Sequence, residues 1–301
     1  MKKNPNAIKD SPSRGVFVVF NTIFFVLIMI LCAYPLWYVF IQSVSSGDAS
    51  VNAVIIPVNF TLQNFADILQ MSEVFRAILV SVARTVIGAA GTVLCCMLAG
   101  FIYSKENMPF RRFFYRYLII TMYVSGGLIP TYLVYKAYGF INSFWVYVIP
   151  SLLSAYNVIL VKTFVEQLPK ALEESAKLDG ASTMRVFFSI ILPLSLPIAA
   201  TLTIYATNGQ WNSWFDNHLY NATNKNLTTL QYLLYTYLMK TEQLLAQMEE
   251  ANADEAALER LITPRGIKMT VTMISTIPIL CVYPFMQRYL IKGLMVGAVK
   301  G

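Results

Sequence analysis

Three features predict an all-α membrane protein of six transmembrane helices, with both termini on the cytoplasmic side. They are six long apolar runs, a charged-residue content of only 13%, and a one-sided distribution of Lys and Arg. A soluble chain carries about a quarter charged residues. Here 56% of the 301 residues are hydrophobic and the mean hydropathy is +0.56. All four Cys (Cys32, Cys95, Cys96, Cys281) lie inside apolar runs, where a thiol behaves as a small hydrophobe and suggests neither a disulfide framework nor a metal cage.

A hydrocarbon core about 30 Å thick needs about 20 apolar residues in a helix. Six runs meet that length, at about residues 16–41, 77–103, 113–135, 144–161, 194–214 and 267–289. The first follows Lys2 and Lys3 as a signal peptide would, but it exceeds the ~7–15 residues of a signal core and contains Pro35 and Trp37. The positive residues set the orientation. Lys2, Lys3, Lys9 and Arg14 precede the first run, and Lys105, Arg111, Arg112 and Arg116 stand at the turn between the second and third. Lys162, Lys170, Lys177 and Arg185 fall between the fourth and fifth, and Arg288, Lys292 and Lys300 follow the sixth. These are most of the 23 basic residues, so the segments holding them are cytoplasmic.

The chain therefore divides into a cytoplasmic tail (1–14), a membrane domain (15–292) and a second cytoplasmic tail (293–301). Between the first two spans, TLQNFADIL places Leu62, Phe65, Ile68 and Leu69 on one helical face, a short helix outside the membrane. The outer segment 215–265 carries a helical stripe (Leu230, Leu233, Leu234, Tyr237, Leu238) and then an acidic face (Glu249, Glu250, Asp254, Glu255, Glu259). It reads either as a helical hairpin with a solvated face or as a docking surface.

The catalytic inventory is short. There is no G-x-x-x-x-G-K-[ST] to cradle phosphates, His218 is the only His, and no His, Cys or carboxylate group has metal-ligand spacing. No Asp or Glu lies within the six spans, which disfavours an ion-coupled secondary transporter. The positive balance of +7 is spread over several segments and marks topology rather than nucleic-acid binding.

Between the fourth and fifth runs lies EESAKLDGASTMRVFFSIILP, residues 173–193. Pro169 suits a helix start, and Glu173 and Glu174 favour the positive end of that helix. Leu172 and Ala176 share a face, Gly180 supplies a left-handed stop, and Ser182 caps a second helix. That second helix carries Phe187, Phe188, Ile190 and Ile191 toward the membrane, with Pro193 and Pro197 marking its bend into the fifth span.

The spacing Glu174-Ser175-Ala176, three residues, Gly180, nine residues, Ile190-x-Leu192-Pro193 resembles the EAA or coupling loop of bacterial ABC importer permeases, with Ser175 where that family often has Ala. The resemblance extends over nearly the whole chain from Val16 and implies the type I importer permease fold in the bacterial plasma membrane. It makes 166–193 the loop gripped by a separate ATPase, with Glu173, Glu174, Ala176, Asp179, Gly180, Ile190, Leu192 and Pro193 at the coupling positions. Glu174 matches the acid that pairs with a basic residue of the ATPase. The C-terminal stretch from Gln287 to Gly301 and WNSWFDNHLY after the fifth span resemble the maltose-type half of carbohydrate permeases. That likeness extends to the lipo-oligosaccharide and oligosaccharide permeases and places Lys300 and Gly301 at the ATPase dimer. The implied partners are a homologous second permease, an ABC ATPase dimer, an extracytoplasmic sugar-binding protein, a sugar substrate and membrane lipid, without nucleic acid. This chain would bind no cofactor, ATP and Mg being held by the ATPase. The alternatives are a receptor or anchor that uses the loop only to recruit a soluble partner, and a permease of the same superfamily for a non-sugar solute.

Candidates for the substrate path are Arg84, Tyr123, Ser125, Asn208 and Trp211. Arg84 sits roughly 10 Å inside the second span at ~1.5 Å per residue, and either snorkels to the outer surface or lines the path. Ser125-Gly126-Gly127 with Pro130 loosens the third span, and Asn208, Gln210, Trp211 and Trp214 place amides and aromatic faces near the end of the fifth. Aromatic residues at such positions also serve as interfacial anchors.

Overall fold

In hydrocarbon a backbone must satisfy its own N–H and C=O groups, and a helix does so within one segment. The computed structural model describes residues 12–45, 54–250 and 267–284, and these form helices and turns with one isolated antiparallel bridge, Ser45 to Phe60. Lys300, Gly301 and the part of the expected outer segment from Ala251 to Arg265 lie outside the described residues. The chain divides into two compact units, residues 1–67 with 244–273, and 68–243 with 274–301.

In the first unit, α1 (Pro12–Ser43) is apolar on every face and exposed along most of its length, as at Leu31, which is 75% exposed. A helix hydrophobic all round has no solvent face and belongs in lipid or against other apolar helices. Its C-terminal end is tied to the following loop. Trp37 Nε1 donates to the Ile55 carbonyl (3.1 Å), and Asn64 Nδ2 donates to the Ser43 and Ser45 carbonyls (3.0 Å each). Asn64 belongs to α2 (Gln63–Gln70), the short helix expected from TLQNFADIL.

The second unit is organised around α3 (Ser72–Ser104). After it come α4 (Arg111–Tyr123), α5 (Leu128–Ala137), α6 (Trp145–Val148) with a 3₁₀ turn (Ile149–Ser151), and α7 (Ala155–Val165). Next are α8 (Lys170–Leu178), α9 (Thr183–Val186), a π turn (Phe187–Ile191), α10 (Leu192–Leu194) and α11 (Leu196–Asn212). The chain continues through α12 (Phe215–Tyr220), a 3₁₀ turn (Lys225–Leu227) and α13 (Leu230–Glu250), then α14 (267–284); residues 244–250 of α13 and 267–273 of α14 are counted with the first unit. α3 packs principally on α7 and α11. At one end of this trio, Met97 and Phe101 of α3 meet Val161 and Val165 of α7, Phe187 and Ile191 of the π turn, and Leu202 of α11 in one buried cluster.

Among the described residues, three helices are long and apolar enough to cross a membrane alone: α1, α3 and α14. The other three expected spans are bent pairs. Residues 113–135 do not form one helix, because α4 and α5 meet at 118°. The break is at Val124–Gly127, and Gly127 has φ +83° and ψ 175°, a backbone region open essentially to Gly alone. The fourth run bends by 44° between the 3₁₀ turn and α7. The fifth bends by 81° at Ser195, between Pro193 and Pro197, where the two missing N–H groups interrupt the helical ladder as their positions suggested.

Candidate functional site

Two places in the second unit gather the polar chemistry. At the first, α8 presents the expected coupling residues on two faces. Pro169 stands one residue before the helix, and Glu173 closes its first turn. Glu173 Oε1 turns back onto Lys105 Nζ, in the turn after α3, both side chains about one-fifth exposed. Lys105 also lies 3.9 Å from the centre of the Phe101 ring. Burial lowers the Lys105 pKa from its ordinary value, and the hydrogen bond and charge of Glu173 oppose that shift. A second pair, Lys170 to Glu106 (2.5 Å), joins the same two segments at the surface, while Arg111 pairs with Glu166 beyond α7. Glu174 points the other way: it is exposed and makes no hydrogen bond or ion pair among the described residues.

Ala176 turns inward and packs with Ala181 on the Phe101–Phe187 cluster, so the segment is seated by apolar contact as well as by charge. Asp179 caps the helix, and Gly180 follows at φ +79°. Gly180 N–H donates to the Lys177 carbonyl (3.0 Å) and Ala181 N–H to the Ala176 carbonyl (2.9 Å), the paired bonds of a Schellman stop. Ser182 Oγ then accepts from Arg185 N–H (3.3 Å) as the cap of α9. Ile190 and Leu192 are half-buried and Pro193 is exposed. Leu178, 89% exposed, is an apolar knob that the motif does not contain. Reversing Lys105 to Glu should open the inner face of α8 and speed amide hydrogen exchange over 170–181 about fivefold, for a partly buried pair contributing about 1 kcal/mol. Combining it with Glu173→Lys restores the pair and the slow exchange. Equal exchange in all three proteins, followed by mass spectrometry, would show that the pair does not hold the helix.

The second place is a cavity of about 680 Å³ lined by α3, α5, α6 with its 3₁₀ turn, α7, α11 and α12. Arg84 lies in its wall, 2% exposed, and does not reach for the surface as a snorkelling side chain would. All five of its N–H groups are taken. Nε and Nη2 donate to Gln210 Oε1 (3.1 Å each), Nη1 to the Ser213 carbonyl (3.2 Å) and Asp216 Oδ1 (3.1 Å), and Nη2 to Asp216 Oδ2 (2.5 Å). Its guanidinium stacks 4.4 Å from the centre of the Tyr147 ring. Gln210 is locked in turn, its Nε2 donating to the Tyr147 carbonyl (3.1 Å) and Ser151 Oγ (2.6 Å). Its side chain lies against Gly88, where a Cβ would come within 2.5 Å of Nε2.

The other path candidates are not in this wall. Tyr123 is 82% exposed. Ser125 is exposed, its Oγ accepting from Gly127 N–H (3.3 Å). Asn208 Oδ1 accepts from Asn212 (2.8 Å), and Trp211 is buried with Nε1 donating to the Ser275 carbonyl (2.9 Å). Sequence reasoning missed Asp216 as the counter-ion, because it lies just past the fifth run where no intramembrane acid was sought. A lone Arg in an apolar run required one.

Residues 91–215 match the family model for the binding-protein-dependent transport system inner membrane component. The chain is 33% identical over 280 residues to the polygalacturonan/rhamnogalacturonan transport system permease protein YtcP of Bacillus subtilis, spanning 92% of this chain and 96% of that one. It is 34% identical over 299 residues to the Bacillus subtilis protein LplC, with 98% and 99% covered. Its fold matches a chain of a bacterial ABC transporter involved in the import of the acidic polysaccharide alginate, with a TM-score of 0.80, 23% identity, and 94% and 99% of the two chains covered. The chain therefore belongs to the binding-protein-dependent transport system inner membrane components, the membrane-embedded permease subunits of ABC importers, whose ATPase is a separate polypeptide.

Proposed function

We propose that this chain is one of two permease halves of a carbohydrate importer, and that residues 166–193 are its cytoplasmic grip for the ATPase. The observation that carries the second part is the two-sided helix α8, with Glu173 turned in to Lys105 and Glu174 left exposed beside Leu178. An exposed acid next to an exposed apolar knob suits a cleft that offers a basic residue within an apolar wall. ATP and Mg act on the ATPase, and its closure moves the two permease halves between outward and inward openings. In this reading both termini are cytoplasmic, 215–265 is extracytoplasmic, and Lys300 and Gly301 reach the ATPase dimer. Carbohydrate as the substrate class follows from relatives named for polygalacturonan/rhamnogalacturonan and, at 23% identity, for galactooligosaccharides in Bacillus subtilis.

The test is reconstitution. Proteoliposomes holding this chain, its partner permease, the ATPase and the binding protein should accumulate labelled oligosaccharide only with internal ATP. Import of a non-sugar solute with no sugar uptake would replace the substrate class, and tight ATPase binding with no import of either would favour the anchor reading.

A further inference from the structure

The cavity beside Arg84 separates its polar groups into two sets. The framework set is saturated: all five Arg84 donors, both Gln210 amide hydrogens, Tyr147 Oη on the Leu227 carbonyl (2.8 Å) and Thr92 Oγ1 on the Ser151 carbonyl (2.9 Å). The other set is open. Asn157 is 8% exposed, and its side-chain amide has no hydrogen-bond partner among the described residues, although its backbone N–H is capped by Ser154 Oγ (3.5 Å). The hydroxyls of Tyr135, Tyr156, Tyr205 and Tyr220 likewise make no hydrogen bond among the described residues, and all four tyrosines line the same space. The Asn157 side chain lines the cavity, so its amide is open to whatever enters that space. Polar groups on helices of a membrane domain face a water-filled or ligand-filled space rather than lipid.

We propose that this cavity is a glycosyl-binding subsite contributed by this permease half, and that it takes an uncharged sugar ring. The proposal rests on the carbohydrate reading above and adds a place and a charge preference to it. At about 680 Å³ the space is within the ~300–1,000 Å³ of small-ligand sites. An amide that both donates and accepts, with tyrosine hydroxyls around it, matches the alternating donors and acceptors of sugar hydroxyls. The tyrosine rings supply apolar faces for the C–H side of the ring. Among the described residues Arg84 and Asp216 are the only charged ones in the wall, and each neutralises the other. A uronate carboxylate would therefore leave water and find no free cation, which a neutral ring does not require.

The experiment uses the complete importer in proteoliposomes. A cysteine is placed in the wall by Ala206→Cys, with Cys32, Cys95 and Cys281 changed to Ser, and the rate of maleimide labelling is followed. The probes are neutral trisaccharides (galactotriose, xylotriose, arabinotriose, maltotriose, mannotriose) and trigalacturonate, each at saturating concentration. At least one neutral trisaccharide should slow labelling about tenfold, and trigalacturonate should not. Asn157→Leu should abolish the protection while leaving the sugar-free labelling rate unchanged, because leucine keeps the γ-branched shape, though not the smaller volume, and removes the amide. In the otherwise unmodified importer Asn157→Leu should raise the uptake KM about tenfold, the loss expected for one or two neutral hydrogen bonds. Protection by trigalacturonate, protection that survives Asn157→Leu, or import of a trisaccharide without any protection would each overturn the subsite and leave the carbohydrate reading standing. Import of no sugar at all by the unmodified importer would instead overturn that reading, and the subsite with it.

Discussion

Arg84→Ala should lower the amount of folded subunit in the membrane several-fold, rather than slow transport in a normally assembled complex. The substitution removes the guanidinium that Gln210 Oε1, the Ser213 carbonyl and Asp216 Oδ2 accept from, and leaves Asp216 only the Asn217 N–H on its Oδ1. Removing one partner of a buried ion pair costs about 3–5 kcal/mol, and a change of even 1–2 kcal/mol alters cellular abundance several-fold. Arg84→Lys should recover only part of the loss, since an ammonium has three donors where five are used and no planar face for Tyr147. Pairing Arg84→Ala with Asp216→Ala removes both charges and should restore much of the stability lost in either single variant. Membrane level and the melting temperature of the detergent-solubilised protein are the measurements. A wild-type level and melting temperature with impaired uptake would return Arg84 to a direct role in the path.

Glu174→Lys and Gly180→Asp should separate ATP hydrolysis from uptake while the membrane domain stays folded. Glu174 makes no hydrogen bond or ion pair among the described residues and acts within the chain only through its charge on Lys170, so its reversal acts mainly on whatever faces it from outside. At Gly180 the effect has a different origin. A Cβ there meets nothing within 4 Å, so local crowding is not the cause. The penalty is the left-handed backbone itself, about 1–2 kcal/mol for a residue with a side chain. Gly180→Ala should therefore weaken the Schellman stop modestly, and Gly180→Asp should add a charge on the exposed face. Copurification of the ATPase and substrate-stimulated hydrolysis in proteoliposomes should both fall in Glu174→Lys and Gly180→Asp, by about tenfold or more, the scale of losing one charge-assisted hydrogen bond of about 1.5–3 kcal/mol. Full copurification and full stimulation in both variants would remove 166–193 from the ATPase contact.

The parts of this molecule legible from sequence are those governed by short-range rules. A left-handed stop at Gly180, a serine cap at Ser182 and a proline-driven bend around Ser195 each depend on a residue and its immediate neighbours. The missed features depend on residues brought together from far apart. Arg84 meets Asp216 across 132 positions, and Lys105 meets Glu173 across 68. Hydropathy also hides direction: residues 113–135 are apolar enough for one crossing, yet Gly127 turns the chain by 118° within them. Glu173 and Glu174 are chemically identical neighbours, and only the position of Lys105 assigns one to the inside and leaves the other exposed.

The helix α8 is closed at its C-terminal end by its own chain, through the Gly180 and Ala181 bonds, and the next helix is capped by Ser182. A partner that grips this segment meets a surface already in its final shape. Association then carries little of the roughly 1–2 kcal/mol per residue that ordering a loose loop would demand. Under the proposed coupling role, such a grip can be released and remade in every cycle without refolding anything. Its strength is set by a few surface contacts, which can be tuned one residue at a time while the lever beneath them keeps its stiffness.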